Sequence, residues 1–424
     1  MIDVAEALRR IQMSAAAIQP RRILLEEAVG LQLQEDVTSD TDSPPWHRSM
    51  MDGFAVISKD FVDSLDCKQA VTLEVVAEIA AGEMTASILE QGQCVRIMTG
   101  APMPTGADAV IPIERAVSGT SHAQAGEQVS LQDPHFRNGQ HVSKKGSFFH
   151  AGQAVIRHGI ELEPVHIGLA AEAGATHVVA IAPPRVSIIT TGNELVPSSQ
   201  VPAEGQIRNT NEPMLSAAVT RCGAEPIPMG IASDRPEPLR AVIAQGLAAD
   251  ILLLSGGVST GDYDLVPKAL GNIGVECIFH KVCLKPGKPI WFGVLHRPAA
   301  SPTLVFGLPG NPVSALVCFE LFVRPALEKI SGNSQFLQAR AQQMARLKNS
   351  VQGSRDRPVY HPCQLELADN GLLAKALPWG GSADLLALSL ANGLLIVPKE
   401  CDGFCRGEMV QVIPLISRLR HKSK

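Results

Sequence analysis

Three segments rich in glycine and hydroxyl side chains stand out as places where chemistry is affordable: TTGNEL at 190–195, SGGVSTGDYD at 255–264 and GLPGNPVSA at 307–315. In the second, Ser255, Gly256 and Gly257 directly follow the apolar run ILLL. Consecutive amides in such a turn can close a nest around an anion, while Asp262 and Asp264 hold a divalent cation beside it. Phosphate together with magnesium is the chemistry this set would serve. The same residues also read as an ordinary strand-to-helix turn in which Asp264 caps the helix beginning at Leu265. Neither a P-loop nor a GxGxxG fingerprint is present, which argues against the standard triphosphate and dinucleotide sites.

KPGKP places Lys285 and Lys288 on either side of Pro286 and Gly287, a turn that can aim two ammonium groups at one oxyanion. A solvated lysine loop is the plainer alternative. In GLPGNPVSA, Gly310 and Asn311 lead into a helix with Pro312 in its first turn, which leaves amides near Ser314 facing a second oxyanion. A capped helix without ligand has the same pattern. Asp52 in SMMDGFAV and Thr99 in RIMTGAP read, from spacing alone, as turn residues. Asp234 and Glu194 follow apolar strands and can either cap a helix or reach a cation. No GxSxG elbow, HExxH helix or clustered histidine set offers a competing chemistry.

These loops need a frame. From Pro184 onward, apolar runs alternate with helical patterns: RVSIIT, a helix from Asn211 through Arg221, PIPMGIA, a helix from Pro236 to Ala248, and DILLLSGG. The alternation predicts a parallel sheet covered by helices, with ligands beyond the carboxyl ends of its strands. Before it, residues 45–145 carry short apolar runs such as VTLEVVAEI and AVIPI split by Gly and Pro, a β-rich insert. Residues 1–40 read as helical, with apolar sets at Val4, Leu8 and Ile11 and again at Ile23, Leu24, Ala28 and Leu31, and the helical pattern returns around VHIGLAAEAG. Short strands return between 332 and 412, and the basic tail 416–424 reads as frayed.

The 424 residues suffice for several domains, and 36 Gly with 30 Pro suit tight turns at which backbone approaches a ligand. A net charge of -5 and only 4% aromatic residues argue against a nucleic-acid binder. Nine cysteines without framework spacing predict a reducing cytoplasm. The start carries Asp3 and Glu6 without an apolar h-region, and no stretch reaches membrane-spanning length, so no membrane is expected.

In order along the chain, SMMDGFAV, RIMTGAPMPTGADAVIPIE, TTGNEL, SGGVSTGDYD, KPGKP and GLPGNPVSA, with RPVYHP and GGSADLLALSLANGLL near the end, resemble the molybdopterin molybdenumtransferase family, the bacterial MoeA enzymes and the gephyrin E domain. The resemblance spans essentially the whole chain. It implies a multidomain α/β plus β subunit: a discontinuous helical and β segment at 1–44 and 146–182, the β-rich insert at 45–145, a three-layer α/β molybdopterin-binding domain at 183–331 and a barrel-like β-rich domain at 332–415. It also implies an elongated cytoplasmic homodimer, with sites in clefts between the α/β domain of one subunit and the insert of the other. The implied reaction inserts molybdate into adenylylated molybdopterin, requires Mg²⁺ and releases AMP, with no covalent protein intermediate.

On this resemblance Asp52, Asp234 and Asp264 serve the cation and the phosphates, with Thr99 among the catalytic residues. Glu194, Ser255, Gly256, Gly257, Ser259, Gly261, Pro309, Gly310 and Asn311 meet the pterin substrate, and Lys285, Lys288, Ser314, Arg357 and Ser382 meet molybdate. Transient contact with the adenylylating enzyme or with molybdoenzyme chaperones is implied as well. The chain departs from the family pattern where Ser147 and Phe148 replace an acidic pair, where Asn193 and Asn209 replace Asp, and where Leu265 replaces a Tyr. The missing carboxylates motivate one alternative, a gephyrin-like dimeric scaffold with reduced catalysis; the adenylyltransferase of the same pathway, whose family resembles the α/β domain alone, ranks last because the β-rich insert and end domain are present.

Overall fold

A computed structural model of the chain describes residues 1–62, 69–84, 88–117, 119–257, 265–298, 301–332 and 343–415. Contacts divide the chain into two compact units: Met1–Arg22, Gly30–Gln34 and Val179–Lys424 form the larger, and Ile23–Val29 with Glu35–Val178 the smaller.

At the heart of the larger unit is a six-stranded sheet. Strand Arg185–Thr191 pairs in parallel with Glu225–Ala232 on one side and Ile251–Ser255 on the other, and Ile251–Ser255 pairs in parallel with Thr303–Leu308. The expected parallel sheet holds for these four strands. Trp291–Leu295 and Glu276–His280 then extend the sheet antiparallel. The reason is connection length: the links 281–290 and 296–302 are too short for the crossover of a dozen or more residues that a parallel pair needs.

Helices cover both faces. Leu215 and Val219 of helix Asn211–Arg221 pack with Val186, Ile188 and Leu253, joined by the continuous helical run from Pro312 to Ile330. On the other face, Leu239 and Ile243 of helix Pro236–Gly246 and Leu270 of helix Leu265–Ile273 pack with Ile189, Leu252 and Leu254. Alternate residues of Ile251–Ser255 thus enter opposite cores, as the pleat requires, and the domain has three layers. Helix Val4–Ser14, started by the Asp3 carboxylate accepting from the Glu6 amide at 2.7 Å, buries Ala7 and Ile11 in the first core. A closed five-stranded barrel completes the unit, filled by side chains that include Ala345, Leu365, Ala374, Leu395 and Val412.

The smaller unit is built on a five-stranded sheet in the order Ala109–Pro112, Gly53–Val56, Gln93–Ile97, Val71–Ile79, Gln128–Leu131. All its pairs are antiparallel except Val71–Ile79 with Gln93–Ile97. Gly53 is required at its position, because a Cβ there would lie 2.0 Å from the Ile111 carbonyl oxygen. Helix Pro164–Glu172 forms where the VHIGLAAEAG pattern predicts it. The second helix expected before residue 40 does not form: Arg21–Leu24 is a strand and Leu25–Glu27 a single 3₁₀ turn. There the Leu25 amide donates to the Thr176 carbonyl, so tertiary pairing overrides an apolar spacing that fits a helix.

Candidate active site

The three glycine-rich loops meet at the carboxyl ends of the parallel strands. Ser255 ends its strand buried, and its Oγ donates to the Pro309 carbonyl at 3.3 Å. The Gly256 amide donates to the Leu308 carbonyl at 3.1 Å. Gly256 and Gly257 both adopt left-handed backbone, with φ of +96° and +62°, and a Cβ on Gly256 would lie 2.4 Å from the Thr191 carbonyl oxygen. Glycine is therefore needed for both conformation and room. A Cβ on Gly310 would sit 3.7 Å from the Gly256 Cα, so the two loops run within van der Waals reach.

Asn211, at the start of its helix, ties these loops together. Its Nδ2 donates to Ser255 Oγ at 2.7 Å and to the Gly310 carbonyl at 2.8 Å. Among the described residues, its Oδ1 and the Thr191 hydroxyl are buried without a hydrogen-bond partner. Buried polar groups are normally satisfied, so these two atoms mark places where a bound molecule or water belongs. Sequence reading missed Asn211, because an asparagine at a helix start signals only a boundary. Asn209, one of the departures, is occupied structurally: its Nδ2 donates to Thr190 Oγ1 at 2.9 Å, and its Oδ1 accepts from the Glu212 amide at 3.3 Å.

TTGNEL folds back on itself. Gly192 has φ +148°, and the Glu194 carboxylate lies where a Cβ would project, at 2.6 Å. The Asn193 amide donates to Asp234 Oδ2 at 3.2 Å. Burial, opposed by that amide and reinforced by the negative charge of Glu194, pushes the Asp234 carboxyl above its usual range. Two neighbouring carboxylates, one held back from ionising, suit a divalent cation. Ser259, Gly261, Asp262 and Asp264 lie outside the described residues, as does the tail 416–424.

The residues expected to meet an oxyanion come from both domains of the larger unit. KPGKP is anchored to the barrel by backbone pairing: the Lys285 amide donates to the Pro358 carbonyl at 2.9 Å, and the Tyr360 amide to the Lys285 carbonyl at 2.8 Å. This ladder sets Arg357 beside the lysine turn, its Nε donating to Asp356 Oδ2 at 2.8 Å. A Cβ on Gly287, at φ +116°, would come within 2.5 Å of Cys318 Sγ, so the turn presses on the helix that carries Ser314. Lys285 and Lys288 are exposed, and neither has an acidic partner among the described residues. Across the same helix start, Asn311 Nδ2 donates to Ser382 Oγ at 2.9 Å. The Val313 amide donates to the Ser382 carbonyl at 3.1 Å and is therefore not open to a ligand.

Asp52 and Thr99 belong to the smaller unit. Asp52 Oδ1 accepts from the Thr99 amide at 2.6 Å and from its hydroxyl at 2.7 Å. Those bonds, the amide's first, hold its carboxyl below the usual range. Asp52 is thus a preset carboxylate, with both bonds on one oxygen.

Residues 2–174 match the family model "MoeA N-terminal region (domain I and II)", residues 187–329 "Probable molybdopterin binding domain" and residues 344–415 "MoeA C-terminal region (domain IV)". A molybdopterin molybdenumtransferase of Nostoc sp. is 35% identical over 92% of this chain and 87% of its own length. One from Bacillus subtilis is 32% identical over 97% of this chain and 94% of its own. A crystal structure of the molybdopterin biosynthesis MoeA protein from Pyrococcus horikoshii superposes with a TM-score of 0.77 at 29% identity, covering 98% of this chain and 99% of that one.

Proposed function

The chain belongs to the molybdopterin molybdenumtransferase (MoeA) family, and from that premise we propose that it inserts molybdate into adenylylated molybdopterin, with release of AMP, as a cytoplasmic homodimer of four-part subunits. The observation that carries this reading is the convergence of Ser255, Gly256, Gly310, Asn311 and Asn211 at one end of the sheet, with the lysine turn and Arg357 joined to the same unit.

The anhydride substrate is a polyanion, and the glycine loops bring backbone close enough to seat its phosphates and pterin. Thr191 Oγ1 and Asn211 Oδ1 offer unspent hydrogen-bonding capacity to the same ligand. Asp234 and Glu194, which meet at the TTGNEL loop, would hold Mg²⁺, and a cation there would offset the burial and like charge that raise the Asp234 pKa; Asp264 and Asp52 are carried over from the family pattern as further cation residues. A cation held by these residues would supply charge neutralisation to the phosphates of the substrate, which favours AMP as a leaving group. Molybdate is a tetrahedral dianion. Lys285, Lys288 and Arg357 supply positive charge to it, and Ser382, oriented by Asn311, and Ser314 supply hydroxyls. No side chain in this set needs to form a covalent bond to substrate.

The protein mixed with adenylylated molybdopterin, Mg²⁺ and molybdate should release AMP in proportion to cofactor formed. Absence of molybdate-dependent AMP release would sink the proposal. Asp264→Ala should abolish turnover with the fold intact, and Lys288→Ala should raise the molybdate concentration required.

A further inference from the structure

Phe148 stands where the family pattern has a carboxylate, and its ring is 63% exposed. A single exposed aromatic is ordinary on a protein surface. This one is fixed in place. Its amide donates to the Ser43 carbonyl and the Gly146 amide to the Pro44 carbonyl, both at 2.9 Å. Asp42 ties down both flanks, accepting from the Ala151 amide at 2.9 Å and pairing with Lys145 at 3.5 Å. Phe149 is buried beside it. The loop therefore holds the Phe148 position before any ligand arrives, and little ordering cost remains for binding.

Positive charge lies over this ring and along its loop. The Arg48 guanidinium lies over it, 5.8 Å from the centroid. Lys144 is exposed in the same loop, and among the described residues neither Arg48 nor Lys144 has an acidic partner. An apolar partner surface would strip water from these cations without replacing it, and a bare phosphate would make no use of the ring. A flat π-system that carries negative charge uses both.

We propose that Phe148 and Arg48 form a stacking platform for the adenine ring of a nucleoside 5′-phosphate, with Lys144 meeting the phosphate. The identity of the nucleotide rests on the reaction proposed above, whose leaving group is AMP; the platform itself rests only on the geometry of this loop. Phe148 is a specificity residue on this reading, taking by stacking what a carboxylate at the same position could not.

The test is calorimetric titration of the full chain with AMP and, separately, with ribose 5-phosphate, which lacks the ring. Phe148→Ala should weaken AMP binding about thirtyfold, the middle of the range for loss of one stacked base. Phe148→Tyr should restore it, and affinity for ribose 5-phosphate should be the same in all three proteins. The platform is overturned if the wild-type chain does not bind AMP, if Phe148→Ala binds it unchanged, or if ribose 5-phosphate shows the same loss. A change in oligomeric state on Phe148→Ala with AMP affinity unaltered also overturns it, by showing that the ring serves contact between copies of the chain. AMP bound through Phe148 in a protein without turnover would remove the reaction and leave the platform. Turnover intact with AMP affinity indifferent to Phe148 would do the reverse.

Discussion

Asp52 and Asp234 show how one residue type is given opposite tendencies by its neighbours. Asp52 accepts from Thr99 and is held below the usual carboxylate range; Asp234 is buried beside Glu194 and pushed above it. The signs for stability follow. Asp52 contributes stability that is present above its unfolded pKa and lost as pH falls through its lower folded value, whereas keeping Asp234 ionised works against the fold until pH falls through its raised value. If ionised Asp234 is needed for turnover, the acid limb of the pH–rate profile lies higher than an ordinary carboxylate would place it. Glu194→Gln should move that limb to lower pH by removing a like charge. A carboxyl titration followed by NMR gives a check independent of activity: Mg²⁺ should lower the Asp234 pKa, and an unchanged titration would remove this residue from the cation site.

At the scale of elements, the loops are held by a few contacts that substitution can break. Asn211→Ala removes both ties from one amide and leaves the Gly310 carbonyl short of a donor, which should cost about 1–3 kcal/mol in denaturant unfolding. Gly287→Ala combines a left-handed backbone with a Cβ pressed on Cys318, so it should destabilise the fold and weaken molybdate affinity together. Sequence pattern was most informative for elements with strong local signals. The helix beginning at Asn211 runs over the residues expected, and the parallel strands fall on RVSIIT, PIPMGIA and ILLL. What local pattern did not carry was pairing at a distance: the Asn211 side chain meets partners 44 and 99 residues away, and the strand at Arg21–Leu24 looked helical by spacing. The candidate site divides the same way. Its loops and lysines were visible as motifs, but the tie between Asn311 and Ser382, 71 residues apart, exists only in the folded chain.

The whole molecule has two compact units, each with apolar clusters of its own. Scanning calorimetry should therefore resolve two transitions. A ligand that binds only the native form raises the stability of the unit it contacts, by about 2.7 kcal/mol at a hundredfold excess over Kd. Molybdate should accordingly raise the transition of the larger unit, and a rise confined to the smaller unit would contradict the assignment of Lys285, Lys288 and Arg357.

The ladder joining Lys285 to Pro358 and Tyr360 consists of backbone groups only. Every residue carries a peptide carbonyl and every residue but proline an N–H, so this seam makes little demand on the side chains at either edge. The barrel is in that sense exchangeable: one grafted from a relative should engage the same seam and bring its own counterparts of Arg357 and Ser382. Discrimination between molybdate and tungstate, insofar as those two side chains set it, would then be inherited with the donor's barrel rather than with the recipient's glycine loops. Chimeric chains make the origin of oxyanion preference a question of ancestry that can be assigned domain by domain.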